Sequence, residues 1–135
     1  MRVAFTSSDG KRVDEHFGMA SHFHVWEIGP DQAQFVERVS AITRADDEED
    51  RIAARANAVA DCTIVYTMQI GGPAAAKLVA RRIHAMKTVC EVPIAALVAK
   101  LQEVLRGKPP PWLRKAVGLP IEDTPADPAT EDIGE

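Results

Sequence analysis

Residues 61–82, DCTIVYTMQIGGPAAAKLVARR, combine a strand signal with the start of a helix. The apolar run at 62–67 is continuous, which predicts a central strand buried on both faces. Gly72 suits the position before a helix, and Pro73 suits the first helical position of the alanine-rich stretch that follows. The segment therefore predicts a strand, a glycine loop and a helix, which is the repeating unit of a parallel α/β sheet.

The sequence on either side predicts further strands and helices. Runs rich in β-branched or aromatic residues between turn formers predict strands, and apolar residues three and four apart predict helices. The predicted strands span residues 2–6, 22–28, 33–39, 62–67 and 84–89. The predicted helices carry apolar residues at 52–60, 73–82 and 94–105, with one more turn at 112–117 after a proline run. The acidic run 46–50 precedes the first helix, where the helix dipole favours negative charge; metal binding is the alternative.

This order of elements predicts one α/β topology. An antiparallel hairpin followed by right-handed crossovers gives a mixed five-stranded sheet with helices on its faces, in the strand order 3-2-1-4-5. The carboxyl ends of strands 1 and 4 then lie side by side, and ligands bind in the crevice outside such ends. The loops at 6–20 and 67–72 are therefore the expected site.

Composition places the chain among soluble, single-domain proteins. It has 135 residues, of which 46% are apolar and 27% charged, as is typical of a globular domain. No run is long enough for a spanning helix, and the start lacks the apolar segment of a signal peptide. The two cysteines form no disulfide framework or C-x-x-C pair. We expect a cytoplasmic protein with reduced thiols.

The formal net charge of −4 is unevenly distributed. Six of the 20 acidic residues lie in residues 121–135, which carry no base, so residues 1–120 hold 14 acids against 16 bases. We expect a folded domain at 1–118 and a disordered, acidic, proline-rich tail at 119–135. A nearly neutral body without a concentrated basic face argues against nucleic-acid binding.

His16 is the first candidate for chemistry. It lies in Asp14-Glu15-His16-Phe17-Gly18, within the loop after the first strand. A neutral imidazole is a common metal ligand, and the neighbouring carboxylate of Asp14 or Glu15 would orient it. The alternative is an ordinary exposed or hydrogen-bonded histidine.

The second loop supplies three further candidates. Gly71 and Gly72 at a helix start would present main-chain N–H groups to an anion, or would serve only as a cap with close packing. Met68 is either a soft metal ligand or a packing residue.

Other arrangements carry weaker signals. His22 and His24 lie on one face of a strand, and together with His16 they would form a three-histidine zinc site; the alternative is that they face solvent. Cys62 fits a small buried residue and Cys90 an exposed one, with thiolate ligation as the alternative for each. No G-x-S-x-G, P-loop or H-E-x-x-H motif is present, which argues against the corresponding enzyme classes.

Four segments in the same order resemble the NifX family, whose members act in biosynthesis of the nitrogenase iron–molybdenum cofactor. They are VAFTSSDGKRVDEHFG at 3–18, DCTIVYTMQIGGPAAAKLV at 61–79, IHAMKTV at 83–89 and LQEVLRGKPPPWLRKA at 101–116. The resemblance covers roughly residues 2–117 and implies a ribonuclease-H-like, three-layer α/β fold.

The resemblance implies a carrier rather than an enzyme. Its cargo would be the iron–sulfur precursor cluster of the cofactor, with the mature cofactor as a further cargo. The partners would be a NifB-type enzyme that makes the precursor, a NifE–NifN type assembly scaffold, and apo-nitrogenase. A related carrier uses the histidine of an H-F-G motif for cofactor binding, and that role falls here on His16, followed by Phe17 and Gly18.

Two functions of other classes remain as alternatives. A regulatory or chaperone-like protein would dock on the scaffold or on nitrogenase without a cluster, through the cations Lys77, Arg81 and Arg82 and the acidic tail. A small zinc hydrolase would use the three histidines described above.

Overall fold

The computed structural model describes residues 1–41 and 47–116. The strands in this part of the chain are β1 (Arg2–Thr6), β2 (Arg12–Val13), β3 (His22–Ile28), β4 (Ala33–Ser40), β5 (Ile64–Thr67), β6 (His84–Lys87) and β7 (Val92–Pro93). The helices are α1 (Glu48–Ala58), α2 (Gly72–Ala80), α3 (Ile94–Arg106) and α4 (Pro111–Ala116). The expected tail at 119–135 lies outside the described residues.

Five of the strands form one mixed sheet in the order β4-β3-β1-β5-β6. Strand β3 pairs antiparallel with both β1 and β4, whereas β5 pairs parallel with both β1 and β6. The predicted α/β class, with a mixed five-stranded sheet and helices, is confirmed. The sheet brings the carboxyl ends of β1 and β5 next to each other, with Phe5 opposite Tyr66.

Strands β2 and β7 form a separate two-stranded ribbon that the sequence did not predict. Each strand has only two residues, which is too short for any periodicity to show. The main chain of Ile94 donates to the carbonyl of Lys11 at 2.8 Å beside this ribbon. The ribbon thus fastens the loop after β1 to the start of α3.

The helices begin where local sequence places them. Asp47 caps α1 by accepting from the N–H of Glu49 at 2.9 Å, and acidic residues fill the first turn of the helix. The acidic run, as far as it is described, therefore has the predicted helix-terminal role. Helix α2 begins at Gly72 with Gly71 as its N-cap, one residue earlier than predicted.

The sheet separates two apolar clusters. On the side of α1 and α2, Ala4, Val65 and Leu78 belong to one cluster. On the side of α3 and α4, Phe5 and Leu101 belong to the other. Alternation along β1 sends successive side chains to opposite clusters, and all four residues of β5 are buried, as predicted for a central strand.

The predicted strand at 84–89 ends at Lys87 in the structure. Val89 has a φ of 57°, a left-handed conformation that cannot continue an extended strand. Among the described residues, no helix is long and apolar enough to cross a membrane.

Candidate functional site

Two loops meet beyond the carboxyl ends of β1 and β5, as the sequence predicts. The main chain of Phe17 donates to the carbonyl of Gln69 at 2.8 Å, and the main chain of Met68 donates to the carbonyl of Glu15 at 3.1 Å. These two hydrogen bonds lie on either side of His16 in sequence. They fix the main chain that carries the histidine.

Two buried threonine hydroxyls hold the same loops from beneath. Thr6 Oγ1 lies 2.9 Å and Thr67 Oγ1 3.1 Å from the carbonyl oxygen of Glu15, and Thr67 Oγ1 also lies 3.1 Å from the carbonyl oxygen of Gln69. A hydroxyl has one proton, so each threonine shares its bond between neighbouring carbonyls. Both threonines are completely buried. Sequence reasoning missed them, although each ends one of the two neighbouring strands.

In the H-F-G segment, a buried phenylalanine follows an exposed histidine. Phe17 is fully buried, with its ring centre 5.5 Å from that of Phe23, and it begins a short 3₁₀ turn. His16 precedes the turn in extended conformation, with φ −80° and ψ 149°. Its side chain is exposed, and no hydrogen bond to its ring exists within residues 1–41 and 47–116. The fixed backbone therefore presents an uncommitted imidazole.

The neighbouring carboxylates do not orient this imidazole as hypothesised. Asp14 accepts hydrogen bonds from the main chain and side chain of Ser8. Glu15 has a buried Oε1 without a hydrogen-bond partner among the described residues. Burial, with a smaller contribution from the charge of Asp14, raises the pKa of Glu15.

An open groove of about 490 Å³ lies beside His16. Gly18, Met19, Gln69, Ile70 and Gly71 complete its lining. The structure thus brings together His16, Gly18 and Gly71 from the predicted set, with Gly72 following at the start of α2. We call this the cargo groove.

Met68 does not line the cargo groove. Its half-buried side chain packs with the cluster on the side of α3, whereas Phe17 belongs to the opposite cluster. Of the two roles considered for Met68, metal ligand and packing residue, its position fits the packing residue. Phe17 likewise supports the groove from inside the core.

Gly18 and Gly71 in the lining of the cargo groove, and the adjoining Gly72, are not required by the fold. A Cβ atom at Gly18 or Gly72 would meet nothing within 4 Å, and one at Gly71 would meet only Pro73 Cδ at 3.9 Å. None of the three has positive φ, in contrast to Gly10 at 78°. Their main chain is consequently open to close approach from outside.

The described residues contain no group of three or more His, Cys, Asp or Glu side chains that could hold a metal ion. His22 lies 3.2 Å from Ser21 Oγ through its Nδ1. His24 is half-buried with its ring 6.3 Å from that of Phe35, and burial lowers its pKa. The three-histidine zinc alternative is therefore wrong for this part of the chain.

The two cysteines lie in different environments. Cys62 is buried, and burial together with the charge of Asp61 raises its pKa to about 12. Cys90 is exposed and free. The predicted environments of both are confirmed, and Cys62 is a thiol at neutral pH.

The described residues form an α/β fold that presents a histidine on a loop beside exposed glycine main chain. The family model described as dinitrogenase iron-molybdenum cofactor matches residues 1–104. The chain belongs to this family. Membership assigns it to nitrogen fixation and iron–molybdenum cofactor biosynthesis.

Two relatives agree with this assignment. Protein NifX of Herbaspirillum seropedicae is 43% identical over 119 residues, which are 87% of this chain and 82% of that protein. Protein NifY of Azotobacter vinelandii is 40% identical over 119 residues, which are 87% of this chain and 48% of that protein. The resemblance to the NifX family is confirmed.

A solved structure supports the fold. The crystal structure of PH0822 matches with a TM-score of 0.58 and 22% identity, covering 76% of this chain and 91% of that one. At this identity the match concerns the fold alone.

Proposed function

We propose that the protein binds iron–sulfur precursor clusters of the iron–molybdenum cofactor in the cargo groove and carries them between assembly proteins. One observation carries the proposal: His16 is exposed and uncommitted on a main chain held by three hydrogen-bond contacts between the two loops and by one from Thr6 within its own loop. No internal hydrogen bond must be broken before this side chain binds a metal, so recruiting it as a ligand costs only the ordering of the side chain and its desolvation. It is therefore suited to an iron bond that forms and breaks.

The chemistry of the cargo matches the groove. A preassembled cluster has most of its metal bonds satisfied internally, so a carrier needs only one or two exchangeable ligands. Neutral imidazole is such a ligand. The exposed glycine main chain and the start of α2 suit an anionic surface. An open groove also leaves the cargo within reach of the next protein.

The partners follow from the same proposal. The donor is a NifB-type enzyme, and the acceptors are a NifE–NifN type scaffold and apo-nitrogenase, with the mature cofactor as a further cargo. The handover takes place in the cytoplasm, and the protein itself catalyses no reaction.

The strand order supports a ribonuclease-H-like classification. Nuclease activity is not part of the proposal, because the first strand ends in Ala4, Phe5 and Thr6, where a magnesium nuclease needs acidic residues that hold the metal.

The test is an anaerobic titration with isolated precursor cluster, followed by gel filtration and iron analysis. We expect iron to co-elute with the full chain. His16→Ala should weaken retention at least tenfold, equivalent to about 1.4 kcal/mol, while its unfolding curve stays unchanged because His16 is exposed. His22→Ala is the matched control and should retain iron.

Two outcomes would contradict the proposal. Free passage of the cluster through the column would favour the interaction protein that needs no cargo. Equal iron retention by wild type and His16→Ala would show that His16 does not bind the cluster.

A further inference from the structure

A second groove, of about 410 Å³, lies between α2 and the outer strand β6. Ile70, Ala75 and Ile83 contribute apolar surface to it, and Arg82 and Lys87 contribute charge. We call it the edge groove. Ile70 lines the cargo groove as well, so the two grooves adjoin.

One strongly exposed apolar side chain lines the edge groove, and two more lie near its outer strand. Val79, in the lining, is 69% exposed. Met86, on the other face of β6, is 42% exposed, and Val89, two residues after β6, is 76% exposed. Water-exposed apolar surface of this kind, rimmed by polar groups, marks a contact site. Met19, 76% exposed at the cargo groove, extends the same surface toward His16.

The charge of this surface is positive and uncompensated. Arg81, Arg82 and Lys87 are exposed and take part in no salt bridge within the described residues. Glu91, near the end of β6, is instead 3.6 Å from Arg12. A binding partner that complements this surface must carry acidic groups.

The backbone of β6 favours an extended occupant. Among residues 1–41 and 47–116, β6 is the last strand of the sheet, and β5 is its one neighbouring strand. The open edge of such a strand offers main-chain groups to an added strand, with side-chain pockets alongside for specificity. Left-handed backbone at Arg82 and Val89 limits the available length to the few residues between them.

We propose that the edge groove binds a short, extended segment of a partner protein in which apolar residues lie between acidic ones. Apolar side chains enter the groove beside Ile83. Carboxylates at the two ends of the segment face Arg82, which precedes β6, and Lys87, which ends it. The role of this segment rests on the proposed function: docking here places the partner beside the cargo groove, where it can deliver or receive a cluster.

The probe is a fluorescein-labelled peptide in which valines lie between terminal glutamates, titrated into the full chain and followed by anisotropy. We expect binding that salt weakens. Arg82→Glu and Lys87→Glu should each weaken it at least tenfold, whereas Lys100→Glu, an exposed control on α3, should not. Amide shifts in NMR spectra should centre on Ile70 and Ala85. Circular dichroism checks that the exposed substitutions leave the fold intact.

Each contrary outcome is specific. Equal binding of a valine–lysine peptide, unaltered binding to Lys87→Glu, or no binding at millimolar peptide would overturn the proposal. Binding that emerges only after the acids of residues 121–135 are replaced by amides would make the chain's own acidic segment the occupant. A loss of iron retention in Lys87→Glu with peptide binding intact would assign the groove to the cargo.

The carrier function and this inference fail separately. His16→Ala should bind the peptide as wild type does, because its side chain lies outside the edge groove. Wild type that binds peptide but retains no iron would refute the carrier and keep the docking surface.

Discussion

The two sides of the sheet are built differently. Five of the 13 buried residues in the cluster on the side of α1 and α2 are alanines, whereas the cluster on the side of α3 and α4 consists of larger side chains such as Phe5, Tyr66 and Leu101. Phe5 and Tyr66 stack with ring centres 5.3 Å apart. Both grooves adjoin the alanine-rich side. The cargo groove lies beyond the carboxyl ends of β1 and β5, and the edge groove lies beside the outer strand β6.

This difference separates stability from binding. Large side chains bury more apolar area each and so contribute more to folding. Small side chains cover less of the neighbouring main chain, so more of that main chain stays accessible to a ligand. We therefore expect substitutions on the α3 side to change stability alone, and substitutions near the loops to change binding more than stability.

The largest effect is expected for Leu101→Ala on the α3 side. Leu101 is 6% exposed, and removal of a buried leucine leaves a cavity that costs about 2–5 kcal/mol. Urea denaturation measures the loss. Iron retention per folded chain should stay at the wild-type level; a parallel loss of cargo affinity would show that the two sides are coupled.

High pH should lower the free energy of unfolding through Cys62, which lies in the cluster on the side of α1 and α2. Burial raises the pKa of this thiol from its ordinary value near 9 to about 12, so above pH 9 the unfolded chain releases a proton that the folded chain keeps. Stability is therefore full below pH 9 and falls as the pH rises toward 12, by about 1.4 kcal/mol at pH 10. Urea denaturation at pH 8 and pH 10 measures this fall in the free energy of unfolding. The fall should be smaller by this amount in Cys62→Ala and unchanged in Cys90→Ala. An equal fall in Cys62→Ala and wild type would contradict the role of Cys62.

Thr67→Val tests the support beneath the cargo groove. The substitution keeps the shape but removes the hydroxyl bonded to the carbonyls of Glu15 and Gln69, at a cost of about 1 kcal/mol. Iron retention should fall by more than stability explains, because the main chain beside His16 loosens. Thr67→Ser restores the hydroxyl and should restore retention. Failure of serine to rescue would show that the hydroxyl does not position the histidine.

The smallest stability effect is expected for Gly72→Ala. The site has space for a Cβ, and alanine restricts the unfolded chain, so stability should rise by about 0.4–1 kcal/mol. Cargo retention should nevertheless fall, because a methyl group covers main chain that the cluster approaches. Gly29→Ala, remote from the groove and with its nearest contact at 3.6 Å, is the control. Unchanged retention would limit Gly72 to a helix-start role.

The structure departs from the sequence-based expectation at sites that depend on distant contacts. Met68 follows a strand and looked available as a ligand, yet it packs with the α3 cluster. Asp14 and Glu15 adjoin His16 in sequence, yet Asp14 binds Ser8 and Glu15 is half-buried without orienting the ring. Adjacency along the chain does not reveal on which side of a sheet a loop side chain ends.

Local pattern in the sequence determined the five strands of the main sheet, the helices, the buried central strand and the H-F-G and glycine segments, because each depends on residues a few positions apart. Tertiary structure alone decided which groups of the two neighbouring loops are in contact. Thr67 and Glu15 are 52 positions apart, and their bond exists only once β1 and β5 pair. The same pairing leaves β6 at the edge and His16 uncommitted, since strand pairing and loop contacts are set by the packing of the whole sheet.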